Sequence, residues 1–479
     1  MTPSRTPSSQ TPFPPTSPPP GSGDGVNPFG WRFVTPLYVG SALNPINSSL
    51  IATALVPIAA GIHVSVGQTA ILVSCLYLAS AIAQPTGGKL GEVFGPRRVF
   101  LAGILLVLAG GILGGLSHTL GELTVARILI GIGTSGGYPS AMLIVRRRAQ
   151  DAGLSAPPGG VLGGLQIAGT ATAALGLPIG GVIVDAFGWR STFLINVPVT
   201  IIAFLVTLLW LPRDPLAERL GTRTVLSRID LTGILLFAAA LSGLMIFLDA
   251  LPTPRWAYLA AAVVLAVALV LWERTVTTPF LDVRLLTRNL ALTRTYLRFG
   301  LTSLCVYTVL YGLSDWLEVT RHYDSRTVGL LILPMSGLSA ILMRPVASRN
   351  LIRSALYAAA LASLAGSIGI MLLGTGTPII LVIALTLVFG VALGTFAPAN
   401  QTALYQQADP DQIGTAAGLL RTFGYIGSVA SSALISIFFR TSVTDAGLHT
   451  IGAVMTGASI LGVLLLVADR QLRHRHAAS

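Results

Sequence analysis

Apolar runs separated by short polar segments fill the chain from about residue 34 to residue 468. A helix needs about 20 apolar residues to cross a bilayer core. On that ruler spans fall at 34–60, 67–90, 98–117, 122–145, 160–184, 191–211, 230–250, 256–273, 293–317, 327–347, 351–374, 377–405, 411–438 and 449–468. The pattern predicts an all-α integral membrane protein of about fourteen transmembrane helices. The ninth and thirteenth spans are the least clean, because Arg298 and Arg421 interrupt them.

The arginines give the orientation. Arg97 and Arg98, Arg146 to Arg148, Arg213 to Arg228, Arg274 to Arg288, and Arg349 and Arg353 fall in alternate loops, and the tail adds Arg470, Arg473 and Arg475. Cytoplasmic loops carry the excess of such residues, so both termini are predicted cytoplasmic and the protein multi-pass in the plasma (inner) membrane. Residues 1–30, rich in Pro, Ser, Thr and Gly, read as a disordered cytoplasmic tail. The expected partition is a six-helix bundle at 31–211, a cytoplasmic hinge with two extra helices at 212–291, a second six-helix bundle at 292–469 and a basic tail at 470–479.

Composition sharpens this. The chain is 53% hydrophobic and only 10% charged, against about 25% charged in a soluble domain. The net charge of +12 belongs to the loops and implies no nucleic acid. Arginine supplies nearly all of it, with Lys89 the one lysine. Cys75 and Cys305 lie inside apolar runs and imply no disulfide. No Cys/His cluster points to a metal, no phosphate-binding loop to ATP, and no cofactor or catalytic group is expected.

Polar side chains inside a bilayer are expensive and each needs a reason. Span 1 carries Asn44, Asn47 and Ser48 on one face; span 2, Tyr77, Ser80 and Gln84; span 4, Arg127, Gly131, Thr134 and Tyr138. Span 5 adds Gln166, span 12 Asn400 and Gln401, and span 13 Arg421 with Tyr425 one turn on. Stripes on this many helices predict one central cavity; interhelical hydrogen bonding is the other use such residues have. Arg421 is placed near the bilayer centre, with backbone carbonyls, Asn44, Asn47, Asn400, Tyr425 or an anionic substrate group as partners. Asp315 beside Trp316 can offer a cationic ligand a charge and a ring face.

The loop after span 2, GKLGEVFGPRR, packs Gly88, Glu92, Gly95, Arg97 and Arg98 into eleven residues. It resembles the signature loop of the major facilitator superfamily, G-x-x-x-D-x-x-G-x-x-R, with Glu92 where Asp is usual. Arg127 followed by Gly131 and Gly133 is similar to the helix-4 pattern of that family. Span 5 resembles its antiporter motif, G-P-x-x-G-G, with Gly176, Gly180 and Gly181 in place and Pro178 one position late. The stretches WRSTFLINVP, IDLTG and PFLDVRLL resemble those of fourteen-span drug:proton antiporters. The resemblance implies two six-helix bundles around a cavity, with the extra pair outside it. A gate is expected in which Glu92 docks near the cytoplasmic start of span 13, ADPDQIG, where Asp409 and Pro410 read as an N-cap and first-turn pair and the helix N-terminus attracts a carboxylate, with Arg97 or Arg98 clamping the same group. The chain departs from the subfamily in span 1, LNPINSSLIATALVPIA, where the usual acid is absent.

These readings converge on a secondary-active exporter of small amphipathic or lipophilic molecules, working as a monomer by alternating access in exchange for protons. A uniporter or uptake carrier of a metabolite, and a non-transporting sensor on the same fold, are the alternatives. The missing span-1 acid keeps uniport open.

Overall fold

The computed structural model describes residues 28–469, apart from 65, 70, 155, 215–228, 252, 282, 324, 350 and 440–441 and the side chains of 52, 56, 66, 67, 174, 177, 178, 249, 285, 325, 326 and 411. Both predicted tails, save 28–30, and most of the hinge therefore lie outside the described residues.

Each range read as a span holds a helix. These are α1 (Trp31–Leu50, continued by a 3-10 turn and Leu55–Gly61), α2 (Ile71–Phe94), α3 (Pro96–Leu116), α4 (Leu120–Asp151), α5 (Gly159–Phe187), α6 (Ser191–Trp210) and α7 (Leu231–Asp249). They are followed by α8 (Trp256–Glu273), α9 (Leu290–Arg321), α10 (Ser325–Ser348), α11 (Ile352–Met371), α12 (Ile379–Gln407), α13 (Ile413–Phe438) and α14 (Asp445–Val467). Among the described residues, eleven helices are long and apolar enough to cross a membrane; α1, α5 and α13, which carry much of the polar stripe, are not in that set.

Local chemistry fixes where the helices start. Thr119 and Glu122 form a reciprocal capping box at α4. Asp230, Asn289 and Thr444 cap α7, α9 and α14 with side-chain oxygens. Gly95 turns the chain into α3 at a φ of 101°, a conformation that only glycine takes without strain, and Pro96 follows at the first helical position. Within α9, Val309–Leu313 forms a π turn.

Helices α1–α6 form one bundle and α9–α14 the other. They meet along two seams, α2 against α13 and α5 against α10. The pair α7–α8 packs on the outside of the first seam, where Leu241 and Met245 of α7 meet Ala81 of α2 and the side chains of Tyr425, Ile426 and Val429 of α13. Described residues on both sides of the interrupted hinge, Asp214 and Asp230, lie on the face that also carries the arginine-rich loops and both described chain ends: Arg148 donates to the Pro28 carbonyl and Arg294 to that of Ala468. We call it the basic face.

The apolar core is asymmetric across the membrane. On the basic face one continuous cluster unites the bundles, from Tyr138, Met142, Leu143 and Leu165 to Phe396, Leu404, Tyr405, Ala417 and Leu420. Toward the opposite face the core splits. Leu72, Leu76, Ile130 and Phe193 form one cluster in the first bundle, and Val309, Trp316, Met335 and Phe389 another in the second. The two bundles share one core at the basic end and keep separate cores toward the other.

One buried ion pair ties the segment just past α14 into the second bundle: Arg298 Nη1 lies 3.0 Å from Asp469 Oδ2, and Arg298 also donates to Thr295 Oγ1. Removing one partner of a buried pair strands the other charge, at about 3–5 kcal/mol. Asp469→Ala is therefore expected to lower the melting temperature of the detergent-solubilised protein by roughly 5 °C or more, read by tryptophan fluorescence; an unchanged melting curve would show the pair to be dispensable.

Candidate functional site: the polar layers between the bundles

At the basic end, α2 and α13 approach backbone to backbone. A Cβ on Gly88 would overlap the Gly414–Thr415 peptide, and one on Gly418 would overlap Gln84 and Pro85. Immediately beyond, Glu92 Oε1 accepts from the Thr415 amide at 2.9 Å and from the Thr415 hydroxyl at 3.0 Å. Thr415 is the third residue of α13, so its N–H is one that the helix leaves without an internal partner. The carboxylate thus meets the positive end of the helix dipole of the other bundle.

Two expectations about this contact are corrected. Asp409 and Pro410 open a 3-10 turn, Pro410–Gln412, and α13 begins only at Ile413. Neither Arg97 nor Arg98 clamps Glu92. Both belong to the first turn of α3, whose own free amides bind a different carboxylate: Arg97 N and Arg98 N donate to Asp214 at 3.3 and 2.9 Å. The Arg97 guanidinium reaches the Leu208 carbonyl and that of Arg98 the Phe94 carbonyl. Gly95 is needed beside them because any Cβ there would collide with Asp214.

Deeper in lies a cross-bundle layer. Arg421 Nη2 donates to Gln166 Oε1 at 3.0 Å, and its guanidinium sits 4.1 Å above the Tyr138 ring. Gln166 also donates to Gln401 and to the Tyr138 hydroxyl. Gln401 and Tyr405 close on Met142. Arg421 stands eight residues into α13, about 12 Å at 1.5 Å per residue. Its partners are Gln166 and Tyr138 rather than the amides of α1 or Asn400, because α13 turns this side chain toward α4 and α5.

Above it, Tyr425 donates to Asn44 Oδ1 at 2.7 Å and accepts from Gln84. Asn44 donates to Ser80 and Thr134, so one amide joins α1, α2, α4 and α13. Tyr77 packs on Tyr425 at 5.9 Å, and Tyr307 stacks on Tyr311 at the same distance. Tyr311 is 40% exposed, and Asp315 is exposed one turn further on. Residues 307, 311 and 315 form a stripe at i, i+4 and i+8, of which the sequence pattern singles out Asp315 alone.

Several predicted cavity residues sit elsewhere. Asn47 pairs reciprocally with Asn196 of α6 at 2.8 and 2.9 Å, a tie inside the first bundle. Asn400 donates to the Phe396 carbonyl and faces a separate recess in the second bundle, beside Arg298, Ser363 and Ser459. Trp316 is buried and donates to Asp445, so it shares no ligand face with Asp315. Successive residues on a helix point about 100° apart, and core packing claimed the tryptophan.

Arg127 is buried without an acid, donating to the carbonyls of Leu72 and Asn47. Gly131 lets α4 approach α2 at Leu76 and Ala79. In α5, Gly176 and Gly180 abut α1 at Ser49 and Thr53, while Gly181 faces open space. The Pro178 side chain lies outside the described residues.

Comparison with known proteins is consistent across the whole chain. The family model "Major Facilitator Superfamily" matches residues 37–224 and 229–432. An uncharacterized MFS-type transporter, YwoD of Bacillus subtilis, is 33% identical over 91% of this chain and 96% of its own length. The puromycin resistance protein pur8 of Streptomyces alboniger is 26% identical over 93% and 91%. Among solved structures, the human organic anion transporter MFSD10 superposes with a TM-score of 0.64 over 91% of this chain and 99% of its own, at 18% identity, a likeness of fold.

The Glu92 contact generates a test. Exchanging the charge for an amide weakens both bonds from Thr415, together about 1–2 kcal/mol, or roughly 5- to 30-fold in population. A single cysteine at Ala417, buried where the bundles meet, in a chain with Cys75 and Cys305 replaced by serine, reports that change. Glu92→Gln is expected to speed its labelling from the basic face by about that factor; an unchanged rate would show that the contact does not hold the bundles together.

Proposed function

The chain belongs to the Major Facilitator Superfamily, and on that footing we propose that it is a secondary-active exporter of small amphipathic molecules, driven by proton exchange. The observation that carries this reading is a pair of bundles that share one apolar core on the basic face and keep separate cores toward the other, with a polar layer contributed by both between them. In this reading the layer is reached from the side where the cores are separate, and the apolar cluster of the basic face, with the Glu92–Thr415 contact, seals the other. The basic face is cytoplasmic in this reading, and the arrangement is the outward-open one. Glu92 and Thr415 then hold the cytoplasmic side shut, and their release exposes the same layer to the cytoplasm. Relatives named for antibiotic resistance, pur8 among them, support export over uptake.

The chemistry of the layer supports a substrate preference. Arg421 keeps its charge, and no acidic side chain joins its hydrogen bonds among the described residues. Neutral or anionic lipophilic molecules fit such a cavity better than lipophilic cations. Tyr138, Tyr425, Tyr77 and Tyr307 provide ring faces, and Gln84, Gln166 and Gln401 provide donors and acceptors. Uniport retains one specific support: α1 places Asn44 and Asn47, two amides, where an acid is usual in the proton antiporters it resembles.

Export in a pump-deficient host tests this reading. An anionic or neutral drug is expected to be exported better than a cationic dye, and Arg421→Ala to reduce that export at least tenfold. Efficient cation export untouched by Arg421→Ala would overturn the preference. In vesicles with an imposed pH gradient, substrate addition is expected to dissipate the gradient; transport with no proton movement would select uniport.

A further inference from the structure

The two-helix insertion touches α2 beside a buried carboxylate pair. Asp230 caps α7 and is 4% exposed; Glu273 ends α8 and is 1% exposed. They flank Gly233, where an added Cβ would touch both Asp230 Oδ2 and Glu273 Oε1. Beside them runs the segment that follows α8, and three consecutive residues of it are read by three different elements. Lys89 of α2 donates its ammonium to the Pro279 carbonyl at 2.8 Å. Asp230 accepts from Phe280 N at 3.1 Å, and Glu273 from Leu281 N at 3.1 Å. Asp230 is further satisfied by Gly233 N and by the Trp272 indole. Glu273 is not: its Oε2 is buried with no partner among the described residues.

Two carboxylates so close in a buried site do not both keep their charge cheaply. Asp230 accepts three hydrogen bonds and has no buried oxygen left without a partner. The unpartnered oxygen is the place for a proton, and it belongs to Glu273. Lys89 precedes Glu92 by three residues on α2, so whatever holds Lys89 in place also holds the gate carboxylate against α13.

We propose that Glu273 is a proton-binding site through which the α7–α8 insertion controls the gate on the basic face. With Glu273 ionised, the pair carries two negative charges and retains the Lys89 ammonium at Pro279, so α2 stays closed on α13. A proton on Glu273 Oε2 removes one charge, the hold on Lys89 weakens, and the basic face opens. This rests on the alternating-access reading but needs no substrate, and it supplies a proton-linked step that the missing acid of α1 does not. The charged groups facing Glu273 are Asp230 from α7 and Lys89 from α2; Glu92 is the other titratable group at that end of α2.

The test reads conformation rather than transport, so it stands apart from the export assay. The cysteine at Ala417, in the background without Cys75 and Cys305, is labelled from the basic face as pH is lowered, with no substrate present. Labelling is expected to accelerate several-fold as pH falls. Glu273→Gln, a mimic of the protonated acid, is expected to label fast at every pH, whereas Glu273→Asp keeps a pH response. Lys89→Gln should label fast throughout, and Lys89→Arg should behave as the parent. Should Glu273→Gln not fold, the Lys89 pair decides alone: equal labelling of Lys89→Gln and parent overturns the proposal. A parent without pH response, or a Glu273→Gln protein that keeps the full response, as it would if Glu92 were the sensor, overturns it as well.

Discussion

The meeting of one carboxylate with one helix end sets the terms for the rest of this molecule. Glu92 belongs to the first bundle and the amide of Thr415 to the second. The seam around them is made of glycine backbone, at Gly88, Gly414 and Gly418. Small residues let the two backbones approach closely, and the apolar cluster of the basic face packs around that approach, with Leu143 against Gly414. The Glu92 contact is a polar tie set within that packing.

The same logic runs through the interior, where amides stand in place of acids. Asn44 connects four helices by donating twice and accepting once. Asn47 and Asn196 satisfy each other across α1 and α6. An aspartate at either place would need a cation or several donors. The chain instead leaves Arg127 and Arg421 to carbonyls, an amide and a ring. The polar layers that Arg127 and Arg421 enter therefore carry positive charge without an acid among the described residues bonded to either.

Much of this was legible in the sequence, and the limits of that legibility are physical. Helices could be counted because the bilayer fixes their length. Gln166, Gln401, Arg421 and Tyr425 could be picked out because a polar group in a span must have a use. Which neighbour each would find was not readable. Asn47 and Asn44 share a face of α1 yet point to opposite networks, because the rotation of α1 against α4, α6 and α13 is decided by packing over the whole bundle. Trp316 was drawn to the second core, which no local pattern announces. Tyr307 and Tyr311 escaped notice because a tyrosine in an apolar run passes for an interfacial ring. IDLTG and PFLDVRLL carried only a likeness to other chains. In the structure they are two sides of one contact, Asp230 on the amide of Phe280.

The π turn at Val309–Leu313 bears on the end where the two cores are separate. It holds one residue more than an α turn, and its hydrogen bonds run from i to i+5. Such a turn can shed its extra residue by shifting bonds one position, with both flanking segments of α9 still helical. Each residue of that shift is about 100° of rotation and 1.5 Å of rise. Tyr311 and Asp315 lie within and just past the turn, so they are the side chains that would swing. A shift of that kind would make the surface around Tyr311 and Asp315 a choice of register, with two sets of side chains open to one helix.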